Sequence, residues 1–414
     1  MRAAAALFTI LMAQAATARV SGAVDWRQPW TEPQDSAAAA SHPDEYAWRL
    51  FVALNWPADG VKRVADSAAR FGADRPVVWE TWAAAGEVYL DKGADPGPWG
   101  AGNPERPLRA ERRFETFAFP DALTMKHIVG GAMVPLTDPL ISARRLTEIR
   151  MNRTTFNYIR TRELYNLEGQ VRAYGEPGEV SFPYGAKEIK AKWRPIADRE
   201  SSRYHTTWVR FADGTRRLYG LTGLHIVSKD LPHWFWATFE QMDNPSLQDG
   251  EGWQLPSHDE FACRRQRPNC NRAPPRIGVT GTVWQYYRLR GTLTSYVDSD
   301  GKARLLANSE LETGVQKTAS CMTCHARSAL GVLSGVPARL PIFDSSAADA
   351  DVLSRRGFVG MPRAEWFEGP GAGAQRRPVF RSMDFVWSLS NAHPRQGGEP
   401  VAPGLAVGAG ELSP

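Results

Sequence analysis

The chain has 414 residues, with 50 Lys and Arg against 45 Asp and Glu, a net charge of +5, 43% hydrophobic and 23% charged residues. That apolar fraction excludes a disordered chain, and the scattered basic residues form no Lys/Arg run with interleaved aromatics, so no nucleic-acid partner is expected. The length exceeds one ordinary core, and two or three domains are expected.

In chain order, Met1-Arg2 is a short positive start, Ala3 to Ala16 is apolar, and Ala16-Thr17-Ala18 has a small-x-small cleavage pattern. Residues 1–18 read as a secretory signal peptide, too short and too alanine-rich for a membrane span. No later stretch reaches membrane-helix length, so the mature chain is expected to be soluble and periplasmic.

Residues 19–185 read as a mixed, mainly helical region. Asp44 to Asn55 carries Trp48, Leu50, Phe51 and Leu54 at helical spacing, acidic residues at its start and Pro57 beyond its end. Glu80 to Leu90 reads as a second helix. Residues 92–110, rich in Gly and Pro, read as a loop. Leu146, Ile149, Phe156, Ile159 and Leu164 suggest two helices within 139–167.

Residues 186–306 read as β-rich. Lys187 to Trp193 alternates polar and apolar residues. Trp208 to Phe211 and Arg217 to Val227 flank Asp213-Gly214, a hairpin signature. His233 to Glu240 and Val279 to Leu293 read as further strands, and Tyr296-Val297 with Ala303 to Leu306 as a second hairpin around Asp300-Gly301. Cys263 and Cys270, an even pair in an oxidising compartment, suggest a disulfide, with a free pair as the alternative.

Cys321-Met322-Thr323-Cys324-His325 is the most informative segment. It reads C-x-x-C-H, the attachment pattern of a c-type haem. Two thiols one helical turn apart each add across a haem vinyl group, and the adjacent imidazole becomes the proximal iron ligand. A chance occurrence in so cysteine-poor a chain is on the order of one in a thousand. Half of a zinc site is the alternative, but Cys263 and Cys270 lie far upstream. One covalently attached haem c is the expected cofactor, held by Cys321 and Cys324 with His325 on iron. The export signal agrees, because bacteria attach haem c outside the cytoplasm. Residues 307–395 form the expected haem domain, and 396–414, rich in Gly, Pro and Ala, a flexible tail.

From Ser320 onward the chain resembles the class I cytochrome c fold. The motif opens a helix, Cys321 to Leu330. Pro337 lies twelve residues after His325, where the resemblance implies a proline carbonyl accepting the proximal ring N–H; Pro341 competes for that role because Arg339 departs from the pattern. A terminal helix, Asp384 to Ala392, would pack on the haem helix. Upstream, Ala47 to Pro57, Gly223 to Asn244 and Tyr287 to Gly291 resemble segments of large bacterial single-haem proteins. The expected fold class is therefore α+β, a helical and β-rich N-terminal region followed by a mainly α, cytochrome c-like haem domain.

The sixth ligand decides the chemistry, since two strong axial ligands favour electron transfer and an open site favours small-molecule chemistry. Met361, in a Gly-Met-Pro loop, and Met383 are the leading distal candidates, and gap-filling core methionines are the alternative for both. His225, among apolar neighbours, is a weaker candidate and His233 weaker still, since a lone histidine among apolar neighbours is more often a satisfied core residue. Glu240, Asp243, Glu310 and Glu312 are candidate acid–base groups if the site is open. The leading expectation is electron transfer to a periplasmic redox partner. The rival is a haem c oxidoreductase acting on peroxide or a small organic substrate, supported by the long upstream chain and by the preference of pockets for domain interfaces. A gas-sensing or binding module comes third. No catalytic residue is assigned.

Overall fold

The computed structural model describes residues 27–101, 111–113, 146–211, 213–244, 277–312, 319–333, 336–340, 359–370 and 376–396. The expected signal peptide (1–18), the Cys263/Cys270 pair and the tail after residue 396 lie outside them.

The framework is an eight-stranded sheet. A small hairpin of β1 (Ala58–Asp59) and β2 (Val64–Ala65) precedes it. Its strands are β3 (Ala83–Ala84), β4 (Glu111–Arg113), β5 (Leu146–Met151), β6 (Lys187–Pro195), β7 (Thr206–Arg210), β8 (Arg216–Ser228), β9 (Phe235–Gln241) and β10 (Tyr287–Leu293). The order is β10-β9-β8-β6-β5-β3, and β7 pairs with both β4 and β8. The long strand β8 is flanked by β6 on one side and by β9 and β7 on the other. The predicted hairpin around Asp213-Gly214 is β7 and β8.

Strand alternation gives the sheet two unlike faces. Ile189, Ala191, Trp193, Leu224, Ile226, Phe235, Ala237 and Phe239 share one core with α2 (Pro43–Leu54). Helix α2 follows the short α1 (Ser36–Ser41). Pro43 opens α2 and Asp44 and Glu45 occupy its first turn, where a fixed φ and negative charge are favoured. Phe51 stacks on Phe239 at 4.3 Å, and Trp48 meets Phe239 edge-on at 5.0 Å. Burying each such ring contributes roughly 1.5–3 kcal/mol.

The opposite face mixes apolar with charged residues. Met151, Trp236 and Leu293 join a second core with Cys321, Met322, Met383 and Phe385. Lys190, His225, Thr238 and Glu240 stand on the same face by register. This face supports the C-x-x-C-H segment.

Several expected helices are strands. Glu80 to Leu90 is a 3-10 turn at Val78–Thr81, then β3, then the single-turn α3 (Ala85–Val88). Leu146 and Ile149 lie in β5; within 146–167, the described part of that range, the α-helix is α4 (Arg153–Thr161), and α5 (Leu167–Gly175) follows. Burial along β5 alternates until its last residue, the period of a strand.

The larger correction concerns the C-terminal region, which is not a mainly α, cytochrome c-like domain. Helix α6 is short (Cys321–Ala326) and does not reach Leu330. Next, β11 (Ala329–Leu333) pairs with β12 (Val336–Arg339) on one side and β15 (Phe380–Ser382) on the other; β13 (Glu368–Pro370) pairs with β14 (Arg376–Pro378). Residues that would extend the helix instead satisfy their backbone groups across two ladders, and Pro337, opposite Val332, cannot continue a helix. Gly331 permits this packing, since a Cβ there would stand 2.8 Å from the Phe380 ring and from the Val379 carbonyl. The expected terminal helix is also absent. Asp384 and Phe385 have φ of 49° and 67°, and only Trp387–Asn391 winds, as a 3-10 turn.

Candidate haem-attachment site

Ser320 caps α6, its side chain accepting the Thr323 N–H, and the Cys324 N–H reaches the Ser320 carbonyl at 2.9 Å. Cys321 and Cys324, three residues apart, therefore share one face of the turn, with His325 beside them. Cys321, Met322, Thr323 and Ala326 are buried, whereas Cys324 and His325 keep part of their surface accessible. The open side of the helix is thus the side that carries Cys324 and His325. Neither cysteine is in a disulfide. The Cys321 thiol donates to the Leu306 carbonyl at 3.3 Å; burial pushes it well above its ordinary pKa, with Glu312 adding to the effect.

His325 is held from two sides. Its Nδ1 lies 2.8 Å from the Phe385 carbonyl, which can only accept, so Nδ1 carries the proton and Nε2 presents a lone pair. Its ring lies against Trp236, centroid to centroid 4.5 Å. Burial pushes the imidazole down to about 3; the Phe385 hydrogen bond opposes this, while Lys190 and His225 add to it. A neutral, singly protonated imidazole is the form that ligates a metal.

The carbonyl comes from a tightly fastened segment. Met383 N–H donates to the Ser328 carbonyl at 2.7 Å, Ser328 Oγ donates to the Val386 carbonyl at 2.9 Å, and Trp387 Nε1 donates to the Cys324 carbonyl at 3.1 Å. The acceptor on His325 is therefore Phe385, while Pro337 lies in β12 and Pro341 lies outside the described residues. Sequence patterning missed this segment because Asp384 to Ala392, with Phe385, Trp387 and Leu389, read as a terminal helix, although the spacing of two puts Trp387 on a different helix face from Phe385 and Leu389.

The distal candidates lie in different surroundings. Met361 is 58% exposed, in a loop tied to α6 where Thr323 Oγ1 donates to the Gly360 carbonyl at 2.8 Å. Met383 is buried in the segment that delivers the Phe385 carbonyl. His233 is exposed, with its ring 5.4 Å from Tyr296. His225 is buried on β8, opposite Lys190 and Thr238, and Val227, two residues on, is opposite Trp236. This places His225 diagonally next to the indole that touches His325.

His225 Nε2 lies 3.4 Å from Glu312 Oε2, an ion-pair distance that does not close as a hydrogen bond, and Nε2 has no hydrogen-bond partner among the described residues. Glu312 also accepts the Asn308 N–H at 2.6 Å. Burial raises its carboxyl, but the His225 ring, Lys190 and this N–H more than offset it, so Glu312 stays below its ordinary value. The remaining carboxylates differ. Glu240 is held by Arg288 at 2.7 Å, by Ser309 Oγ at 2.6 Å, and lies 3.2 Å from Arg290. Asp243 clasps Arg203, and Glu310 is buried.

The chemistry of this set fits haem c, with two thiols on one helix face and a neutral imidazole whose second nitrogen is already engaged. Among the described residues no group of three or more His, Cys, Asp or Glu converges as a metal cage, and no helix is long and apolar enough to cross a membrane. Comparison with protein-family models, with curated proteins and with solved structures gives no match.

Proposed function

We propose that this chain is a single-haem c redox protein of the periplasm that transfers electrons. Cys321 and Cys324 would hold the haem as thioethers, and His325 Nε2 would take the iron. The observation that carries the reading is the Phe385 carbonyl on His325 Nδ1, because it fixes the tautomer and ring orientation that an iron-bound histidine needs. When bound, haem supplies a one-electron iron couple within a polypeptide that sets its exposure and axial environment. The protein's own part is to anchor the cofactor through two thiols, to orient His325, and to shield one side with Trp236 and Phe385. The sixth position falls to Met361 or Met383. A net charge of +5, lowered by haem propionates, permits docking to a redox partner with an acidic face.

A second reading, a haem c oxidoreductase of peroxide or a small organic substrate, draws support from one observation. His225 Nε2 is buried, makes no hydrogen bond among the described residues and stands 3.4 Å from Glu312 Oε2, an arrangement that suits an acid–base pair.

The test is to express the full chain with a haem-attachment system in the periplasm. The mature mass should show cleavage after Ala18 and one added haem, and C321A/C324A should lose it. A spectrum with a methionine-to-iron charge-transfer band and no response to carbon monoxide supports electron transfer. A high-spin ferric spectrum with ready carbon monoxide binding overturns it in favour of the oxidoreductase. A mature chain with no added haem overturns both.

A further inference from the structure

Asp384 stands immediately before the residue whose carbonyl holds His325, and its carboxylate is fully engaged. Lys229 Nζ donates to Oδ1 at 2.6 Å, Trp234 Nε1 donates to the same oxygen at 3.2 Å, and the Phe182 N–H donates to Oδ2 at 2.7 Å. The side chain is 8% exposed and that of Lys229 12%. Two of these donors come from the connection between β8 and β9 and the third from the segment before β6, so one carboxylate ties the C-terminal segment to the sheet side of the molecule.

The backbone here is costly. Asp384 and Phe385 are consecutive non-glycine residues at positive φ, and Trp234, which donates to Asp384, has φ of 63°. Among the described residues six non-glycine positions have positive φ, and half of them are these three. Left-handed backbone is strained for a non-glycine residue and persists only where its surroundings over-determine it. The Asp384 cradle is that surrounding. Its consequence is geometric: two left-handed residues in succession turn the chain so that the Phe385 carbonyl points at Nδ1.

We propose that Asp384 is a positioning residue for the proximal histidine: by holding the left-handed turn it aims the Phe385 carbonyl at His325 and sets how strongly the imidazole donates to iron. This rests on the haem c reading above. Carboxylate and carbonyl partners behind a ligating histidine raise its basicity, and here the carboxylate acts one step further back, through the main chain. Lys229 and Trp234 serve Asp384, and they matter to the histidine only through it.

The experiment uses the full, haem-loaded chain with D384A, D384N and S388A. Ser388 fastens the same segment to Glu188 at 2.6 Å without touching the cradle, so S388A reports loss of stability alone. All variants should keep one covalent haem, since the thioethers are untouched. In D384A the iron–histidine stretching band of the ferrous protein, read on the five-coordinate haem left when light dissociates the distal ligand, should move to lower frequency, and the midpoint potential should rise as the imidazole donates less. D384N, with an acceptor oxygen but no charge, should fall between D384A and the parent. S388A should keep the parent band and potential at a lower melting temperature. A band and potential at parent values in both Asp384 variants would overturn the proposal and leave Asp384 a fold residue. If the parent carries no haem by mass, the haem reading fails on its own. Nitrogen NMR of His325 then decides the positioning role, with an Nδ1–H tautomer that is lost in D384A for it and a tautomer that ignores the substitution against it.

Discussion

Glu188 shows what the mixed face of the sheet costs. It stands on β6, where burial pushes its carboxyl up to about 7 and a hydroxyl donated by Ser388 gives partial relief. An unfolded glutamate titrates near 4.5. Between those two values the folded chain binds the extra proton. This carboxyl therefore favours the fold below about pH 4.5, and its contribution is lost as pH rises through about 7. By linkage the loss approaches about 3 kcal/mol as an upper figure. E188Q should flatten that decline, so that the difference in unfolding free energy between variant and parent grows from pH 5 to pH 8 in denaturant titrations. Equal slopes would show that water reaches the carboxylate and the cost is not incurred. At the same scale, the alternation of Glu188, Lys190 and Lys192 was legible as a strand, but not that its polar side faces inward. A period of two says which residues share a face and nothing about what covers it.

At the scale of elements, the hairpin after α6 decides the architecture of the C-terminal region. Gly331 is its tightest point. G331A places a methyl group 2.8 Å from the Phe380 ring and from the Val379 carbonyl, a contact that forces β11 and β15 apart. The expected loss is about 1–3 kcal/mol, read as a lower melting temperature, while haem loading through α6 persists. A variant as stable as the parent would mean that β15 yields freely. The pattern of Gly331, Val332 and Pro337 carried a turn-and-strand signal, yet the motif upstream invited a helix. The left-handed pair at Asp384 and Phe385 left no trace in composition, because neither residue is glycine. Among the elements read correctly, β6 alternates in burial as its apolar spacing does, whereas β8 and β9 are buried along most of their length and were marked instead by β-branched and aromatic residues and the Asp213-Gly214 turn. Those misread, Glu80 to Leu90, β5, the far end of the 321–330 helix and the 384–392 segment, are short enough for two periods to fit the same residues.

At the scale of the whole molecule, the segment that delivers the Phe385 carbonyl continues into contacts with the first half of the chain. Ser388 meets Tyr89 at 2.9 Å, Leu389 and Gln170 share a hydrogen bond of 2.9 Å, the Leu167 N–H reaches the His393 carbonyl at 3.1 Å, and the Gln396 N–H reaches the Lys92 carbonyl at 3.2 Å. The partners Tyr89 and Ser388 are 299 positions apart. Bringing such distant segments together costs chain entropy before any contact returns it, so these contacts form late and slowly. His325 is thus oriented by residues that can arrive only when nearly all of the polypeptide is in place. A fragment of residues 307–396 should accordingly show no cooperative thermal transition, and full-length refolding should acquire protection at the Phe385 segment after protection in β6, β8 and β9. Two thiols anchored early and an imidazole seated last would make the final folding step the one that commits the iron's environment.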